Sequence, residues 1–347
     1  MQIITLNNDL HLDGGKIKFP AQRMDGFRAK PKYINFAHSL GYREDAGETA
    51  VIQRALDFVE ARATDVMYPE LRAARFFPAI DVALGARTFT FVVKDRVGRA
   101  KRTSGRGGDL PRSNITLSEN TSAVAGYGSM FGYTTSELRA FAFASSQGRG
   151  PAISIDTERA DVAAEMIARE MDSVIAFGDP DDTRIRGAVN NSNVTISAAA
   201  GVWSGLTFDQ LVSEMMALAN NPIITSRETF TPDTILLPTA QWMRLSTVYN
   251  AQGTKSVLEI FNDTMTAMSR KMTVESWPLL ATADAPLTGP RAISYVRDTK
   301  VVGSVVPLLF SMLPPQPRGL EWEIPCEGEC GGAVVKAPLG MYYRDGI

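Results

Sequence analysis

From Ser154 to Gly178 the chain reads SIDTERADVAAEMIAREMDSVIAFG, and apolar residues return at three- and four-residue steps. Ala163, Ile167, Met171 and Val174/Ile175 form one stripe, which Val162 and Met166 are expected to widen. Asp156 suits the N-cap, and Glu158 and Asp161 put negative charge near the first turn, where the helix dipole favours it. Gly178, followed by Asp179-Pro180, predicts the stop. About 22 residues at 1.5 Å each give a rod of about 33 Å. A rod that long with one apolar face needs a sheet or other helices against it. It carries no pair of reactive side chains, so it reads as a scaffold.

The 347 residues are enough for two modest domains or one elaborate one. With 36 basic and 38 acidic side chains the net charge is -2, without the strong positive excess of a protein that grips nucleic acid by its phosphates. No apolar run approaches a membrane span, and MQIITLNNDL does not open like a signal peptide. Two cysteines suggest a reducing compartment. Met1 leads to the expectation that the chain keeps its own start.

Residues 1–47 mix turn formers with short apolar islands such as Ile3-Ile4, Phe19 and Tyr33-Ile34. The pattern fits an extended arm lying along another surface, and it also fits a disordered terminus. A helix is predicted from Glu48, with Val51, Ala55, Val59, Ala63 and Val66/Met67 on one face and Pro69 ending it; a short turn, Glu70–Arg75, follows.

Residues 88–117 are the second informative stretch. TFTFVVKDRV alternates, with Phe89, Phe91, Val93 and Val97 on one side and Thr88, Thr90, Val92, Lys94 and Arg96 on the other. A glycine-rich segment intervenes before RSNITLS, where Ile115 and Leu117 point one way. This predicts a long two-stranded ribbon with a cationic tip. Lys94, Arg96, Arg99, Lys101, Arg102, Arg106 and Arg112 stand against Asp95 and Asp109, seven minus two, or +5. A lone ribbon is marginal in water. Its cations suit docking on an acidic patch of a neighbouring subunit, a solvated loop, or nucleic-acid contact, in that order.

Thr134 or Thr135 is placed to cap a short helix through Ala144, and Gly187–Ala200 reads as a turn followed by a strand. Beyond Thr207 the elements become short and alternate. Capping boxes at Thr207–Gln210 and Ser256–Glu259 open two helices, the first expected to end before Pro222 and the second to carry Val257, Phe261, Met265 and Met268 on its core face. Strands are predicted at Thr234–Leu237, Val274–Trp277, Ala292–Val296 and Val301–Val306 around a helix bearing Trp242 and Leu245. Pro314-Pro315-Gln316-Pro317 reads as a linker, with terminal strands at Leu320–Ile324, Ala333–Lys336 and Met341–Tyr343.

Catalytic patterns are absent from this sequence. His11 and His38 are its only histidines, both in the arm segment; Ser129 and Ser204 lack a nucleophile elbow. Gly126-Tyr-Gly128 starts like a dinucleotide fingerprint, but Phe131 stands where the third glycine belongs. Asp179-Pro-Asp181-Asp182 lacks the spacing of a calcium loop and reads as a solvated turn. Cys326 and Cys330, placed on a turn between terminal strands, suit two quiet thiols, with a short-loop disulfide or a zinc shared across a symmetry axis as the alternatives. No catalytic, cofactor or metal residues are expected.

The ordered segments LDFVEARATDVMYPELRA (56–73), FTFVVKDRVGRAK (89–101) running to DLPR (109–112), IAFGDPDD (175–182), NNSNVT (190–195), TPDTILLPTAQW (231–242), LPPQPRGLEWEIPC (313–326) and YYRDGI (342–347) carry a resemblance. The sequence resembles the major capsid proteins of tailed phages with the Hong Kong 97-type fold. That resemblance implies an α+β shell subunit: an N-terminal arm (1–47), a helix and connection of the peripheral domain (48–84), and an extended β-ribbon E-loop (85–118). After it come a peripheral domain (119–205) with its spine helix (156–177), an α/β axial domain (206–314) and C-terminal strands (315–347).

It implies hexamers and pentamers of an icosahedral head enclosing double-stranded DNA, assembled in the host cytoplasm and residing in the virion. A portal and possible decoration or scaffolding proteins would be partners, and no membrane. The E-loop cations named above would be inter-subunit contacts. An arm and a ribbon that cannot bury themselves fit this reading, since closed symmetry supplies identical neighbours. The rivals are an encapsulin-like compartment around protein cargo, a soluble α/β enzyme or small-molecule binder using 206–314, and a nucleic-acid binder acting through 94–112.

Overall fold

The computed structural model describes residues 12, 13, 16, 17, 68–102, 110–146, 155–281 and 289–347. The chain divides into two compact units, 1–65 and 66–347. In the first, strands β1 (Leu12–Asp13) and β2 (Lys16–Ile17) pair antiparallel. The rest of the expected arm, with His11 and His38, and the helix predicted from Glu48 lie outside the described residues.

The second unit opens with helix α1 (Ala73–Phe76) and strand β3 (Ala79–Ile80). Three ten-residue strands follow: β4 (Thr88–Val97), β5 (Asn114–Ala123) and β6 (Ala125–Thr134). Helix α2 (Thr135–Ser146) is capped reciprocally, since Glu137 N donates to Thr134 Oγ1 (3.2 Å) and Thr134 N to Glu137 Oε2 (3.0 Å). Then come the long helix α3 (Ile155–Phe177), which takes Asp156 into its first turn, and strand β7 (Thr195–Ala198).

Helix α4 (Phe208–Thr225) starts at the expected capping box. It does not stop before Pro222 but runs through it, because Pro222 is buried with Leu218 and Ala219 and that packing offsets the missing N–H bond. Strand β8 (Thr234–Leu237), helix α5 (Thr239–Thr247), helix α6 (Val257–Ala267) and strand β9 (Thr273–Ser276) follow. Helix α6 ends before Met268, which is exposed rather than on the core face. The remaining strands are β10 (Arg291–Tyr295), β11 (Val302–Val305), β12 (Leu308–Met312), β13 (Gln316–Arg318), β14 (Glu321–Cys330), β15 (Ala333–Val335) and β16 (Met341–Asp345).

Two layers carry most of the apolar burial. In the first, α3 lies on the sheet formed by β6, β14, β12 and β13, and buries Ala163, Ile167, Met171, Val174 and Ile175. Each of the larger side chains is worth about 2 kcal/mol of transfer free energy. Gly328 of β14 sits under the helix, where a Cβ would come within 2.3 Å of Met171 Cε. Val162 and Met166 stay exposed, so the buried stripe is narrower than the sequence suggests.

In the second layer, helices α4, α5 and α6 cover a five-stranded sheet of order β7-β16-β10-β8-β9 through Leu211, Met215, Leu218, Leu245, Phe261 and Met265. A buried polar seam ties the layers. Arg291 clasps Asp345 (2.5 and 2.6 Å) and donates to the Val189 carbonyl (2.6 Å), and Arg344 clasps Glu214 (2.6 and 2.8 Å).

The terminal strands do not form one closing element. β14 completes the sheet under α3, β15 joins β11 and β3, and β16 sits inside the five-stranded sheet. The Pro314–Pro317 segment is no free linker, because β12 and β13 on either side of it both pair with β14.

Candidate assembly surfaces

Strands β4 and β5 pair one to one from Thr88↔Ala123 to Val97↔Asn114, a ribbon about 33 Å long. Alternation gives it two faces. One carries Phe89, Phe91, Val93 and Val97 opposite Ser122, Asn120, Ser118 and Asn114. The other carries Val92, Lys94 and Arg96 opposite Glu119, Leu117 and Ile115. Apolar residues occur on both, and away from the base they face water: Val92 is 54% exposed, Val97 54%, Ile115 51% and Leu117 62%. A ribbon that places large apolar side chains on both faces is built to be covered on both.

The root of the ribbon is tied to the body of the subunit. Val124 N donates to the Arg87 carbonyl (2.9 Å), Ser122 Oγ to the Arg184 carbonyl (3.2 Å), and Lys336 Nζ lies 5.6 Å from the centre of the Phe89 ring.

Of the cations read from the sequence, Lys94 and Arg96 share the Leu117 and Ile115 face, two residues apart. Arg99, Lys101 and Arg102 follow the end of β4, Arg112 precedes β5, and Arg106 lies outside the described residues. All of the described ones are exposed. No ion pair joins Lys94, Arg96, Arg99, Arg102 or Arg112 to another described residue.

Sequence reasoning missed the residues that carry the opposite charge. β14 is unbroken from Glu321 to Cys330, paired residue for residue with β6. Its even positions Ile324, Cys326, Gly328 and Cys330 are buried, with Gly328 directly beneath Met171 and Ile167 of α3. Its odd positions Glu321, Glu323, Glu327 and Glu329 therefore share the opposite face. Three of the β6 residues paired with them are glycines, since Glu323, Glu327 and Glu329 face Gly132, Gly128 and Gly126. A Cβ at Gly126 would meet nothing within 4 Å. Glu327 and Glu329 thus stand beside bare backbone, while Glu321 and Glu323 share a cleft with Met130, Gly132 and Arg159. The signal was in the letters, since EWEIPCEGEC repeats Glu at even spacing.

The same strand corrects the position of the cysteines. Cys326 and Cys330 lie along β14, not on a turn, four residues and about 13 Å apart. That exceeds the reach of a disulfide, and both are free, buried thiols. Burial raises both pKa values, that of Cys330 to about 11. In the acidic turn, Asp182 is clasped by Arg184 (2.7 to 3.2 Å) and its carboxyl is held down at about 2, while Asp179 accepts the Tyr127 hydroxyl (2.8 Å). Among the described residues no cluster of His, Cys, Asp and Glu could hold a metal ion, and no helix is long and apolar enough to cross a membrane.

A family model described as major capsid protein matches residues 98–347. No curated protein sequence matches the chain. Among solved structures, the capsid of Myoviridae phage XM1 is 14% identical with a TM-score of 0.72, over 85% of this chain and 98% of that one. A structure from Mycobacterium phage Adephagia is 13% identical with a TM-score of 0.57, over 88% and 99%. The capsid of a native GTA particle is 12% identical with a TM-score of 0.56, over 87% and 99%. At such identities the likeness is one of fold: a mixed α+β chain built like these shell proteins.

Proposed function

The chain belongs to the major capsid protein family, and from that premise we propose that its copies close into hexamers and pentamers of an icosahedral phage head of the Hong Kong 97 type around double-stranded DNA. As a capsid subunit its role is structural and its place is the virion. The observation that carries the finer reading is the ribbon of β4 and β5, ten paired positions long, with exposed apolar residues on both faces. A surface of that kind is costly in a solitary molecule and useful where identical neighbours cover it.

In this reading residues 1–47 are the arm and 85–118 the E-loop. Residues 48–84 and 119–205 form the peripheral domain with its spine at 156–177. The axial domain is 206–314, joined by strands from 315–347. The ribbon cations Lys94, Arg96, Arg99, Lys101, Arg102, Arg106 and Arg112 are inter-subunit contacts. A portal occupies one vertex, and scaffolding or decoration proteins are further partners.

A near-neutral chain suits a container from which DNA must leave, because phosphate binding strengthens with every added cation. Electron microscopy and sedimentation of the purified chain test the proposal. Closed shells with five- and six-fold capsomers are expected, and a stable monomer or small oligomer at every concentration would overturn it. Shells filled with a protein cargo would instead support a compartment of the encapsulin kind.

A further inference from the structure

Helix α2 (Thr135–Ser146) is 12 residues long, and none of its described side chains is buried. Leu138 and Phe141, three apart and so on one side of the helix, both face water. Its first turn is tied to the subunit: Thr135 N and Oγ1 donate to the Leu320 carbonyl (3.0 Å each), and Arg159 of α3 reaches Glu137 at 3.3 Å. A helix of this length is marginal without a surface to pack on.

Beside it, an apolar groove of about 220 Å³ runs between α3 and β6. Met130 and Phe131 of β6 and Val162 of α3 supply its bulk, Ala163 adds little, and Glu158 and Arg159 also line it. Met130 and Val162 are exposed, as is Met166 one turn further along α3. The subunit's own α2 thus leaves this groove open, although Arg159 borders both.

We infer that the groove receives helix α2 of a second copy of this chain, with Leu138 and Phe141 laid against Met130 and Val162. The inference rests on the reading of the chain as a shell subunit, and it adds a contact that uses neither the ribbon nor its cations. Three observations carry it.

The first is shape. Apolar residues three apart on an uncovered helix match an apolar groove in the helix-in-groove manner, and the small Ala163 leaves room for the Phe141 ring. The second is charge. Arg139 flanks Leu138, while Glu158 and Asp161 flank Val162, and none of the three forms an ion pair with another described residue. Glu137, the other charge on α2, is already paired with Arg159. A free cation on the helix therefore meets free carboxylates beside the groove.

The third observation is placement. Met130 in the groove and Thr134 at the helix cap are four β6 residues, or about 13 Å, apart. Each subunit thus carries one uncovered helix next to one unfilled groove. A two-fold axis between them seats each helix on the other copy's groove, so the same contact forms twice and closes.

Cysteine pairing tests this. L138C and V162C are placed on separately tagged chains and co-expressed, and the shells are then oxidised. A disulfide between the two chains is expected in shells and not in dilute unassembled subunits, because a bridge requires Cβ atoms about 4 Å apart. Cys326 and Cys330 are buried, and each single variant gives the background. Charge at the same contact gives a second reading. F141E should lower the yield of closed shells about tenfold, and F141K should lower it less, because the lysine meets Glu158 and Asp161. Phe141 is exposed, so both variants should melt as the parent subunit does.

Intact shells without the cross-chain disulfide would overturn the inference. So would F141E assembling as well as the parent, or better than F141K. A bridge formed in dilute subunits when one chain carries both cysteines would give the groove to the subunit's own helix and overturn it too. If F141E melts early, the cysteine result decides alone. A parent chain that never forms shells would sink the shell reading itself, whereas parent-like shells lacking the bridge sink this contact alone.

Discussion

Glu214 on α4 and Arg344 on β16 face each other as a bidentate pair with both side chains nearly out of solvent, and Glu214 Oε1 also accepts the Ala200 N–H (3.2 Å). Removing the carboxylate leaves a buried guanidinium without a counter-charge. E214A should therefore destabilise the unassembled subunit by about 3–5 kcal/mol, read by denaturant unfolding. Asp172 offers a subtler case. Its buried carboxylate accepts the Ala73 N–H (2.7 Å) and so fixes α1 to the long helix. Burial raises its pKa above the ordinary 3.8, against the pull of the N–H bonds. The folded state then holds the proton more tightly than the unfolded one, so this residue's contribution falls as pH rises through the window above 3.8. D172N keeps an acceptor without a charge. Its stability relative to the parent should rise as the pH climbs above 3.8, level off once the buried carboxyl has ionised, and stay level below that window. D172A, which orphans the Ala73 N–H, should cost about 1–3 kcal/mol at neutral pH.

At the scale of elements, the long helix and the β14 sheet meet through a residue with no side chain. A Cβ at Gly328 would lie 2.3 Å from Met171 Cε and 3.0 Å from the Leu309 carbonyl. The methionine tip can swing away and the carbonyl cannot. G328V should therefore lower stability by about 1–3 kcal/mol, with part of the loss returned by M171A in the same chain. The ribbon should behave oppositely. Replacing residues 92–119 with an Asn-Gly turn removes little that the subunit buries, so thermal melting should be nearly unchanged while closed shells disappear, as sedimentation would show.

These elements were unequally legible. The long helix and the ribbon declared themselves through period and alternation. Both capping boxes were readable because they rest on residues three apart. β6 was not, since Gly126, Gly128 and Gly132 occupy one face and erase the alternation that would mark a strand. β14 was read as a strand, a turn and a cysteine pair because Pro325 and Gly328 look like breakers, although tertiary pairing on both sides holds it extended. The ribbon was thus visible and the glutamate face of β14 was not.

Across the whole molecule, the terminal strands β14, β15 and β16 enter three different sheets. Such long-range pairing leaves no single stretch of sequence that reports it, so the ownership of those strands was open until the topology was known. The same topology keeps the two apolar layers together while leaving the ribbon out. The proposed shell requires that another copy cover the ribbon. Hydrogen exchange across residues 88–97 and 114–123, compared between unassembled subunits and purified shells, tests it most directly. The account predicts that amides toward the outer end of the ribbon exchange rapidly in the subunit and are strongly protected in the shell. Equal exchange in the two states would contradict it.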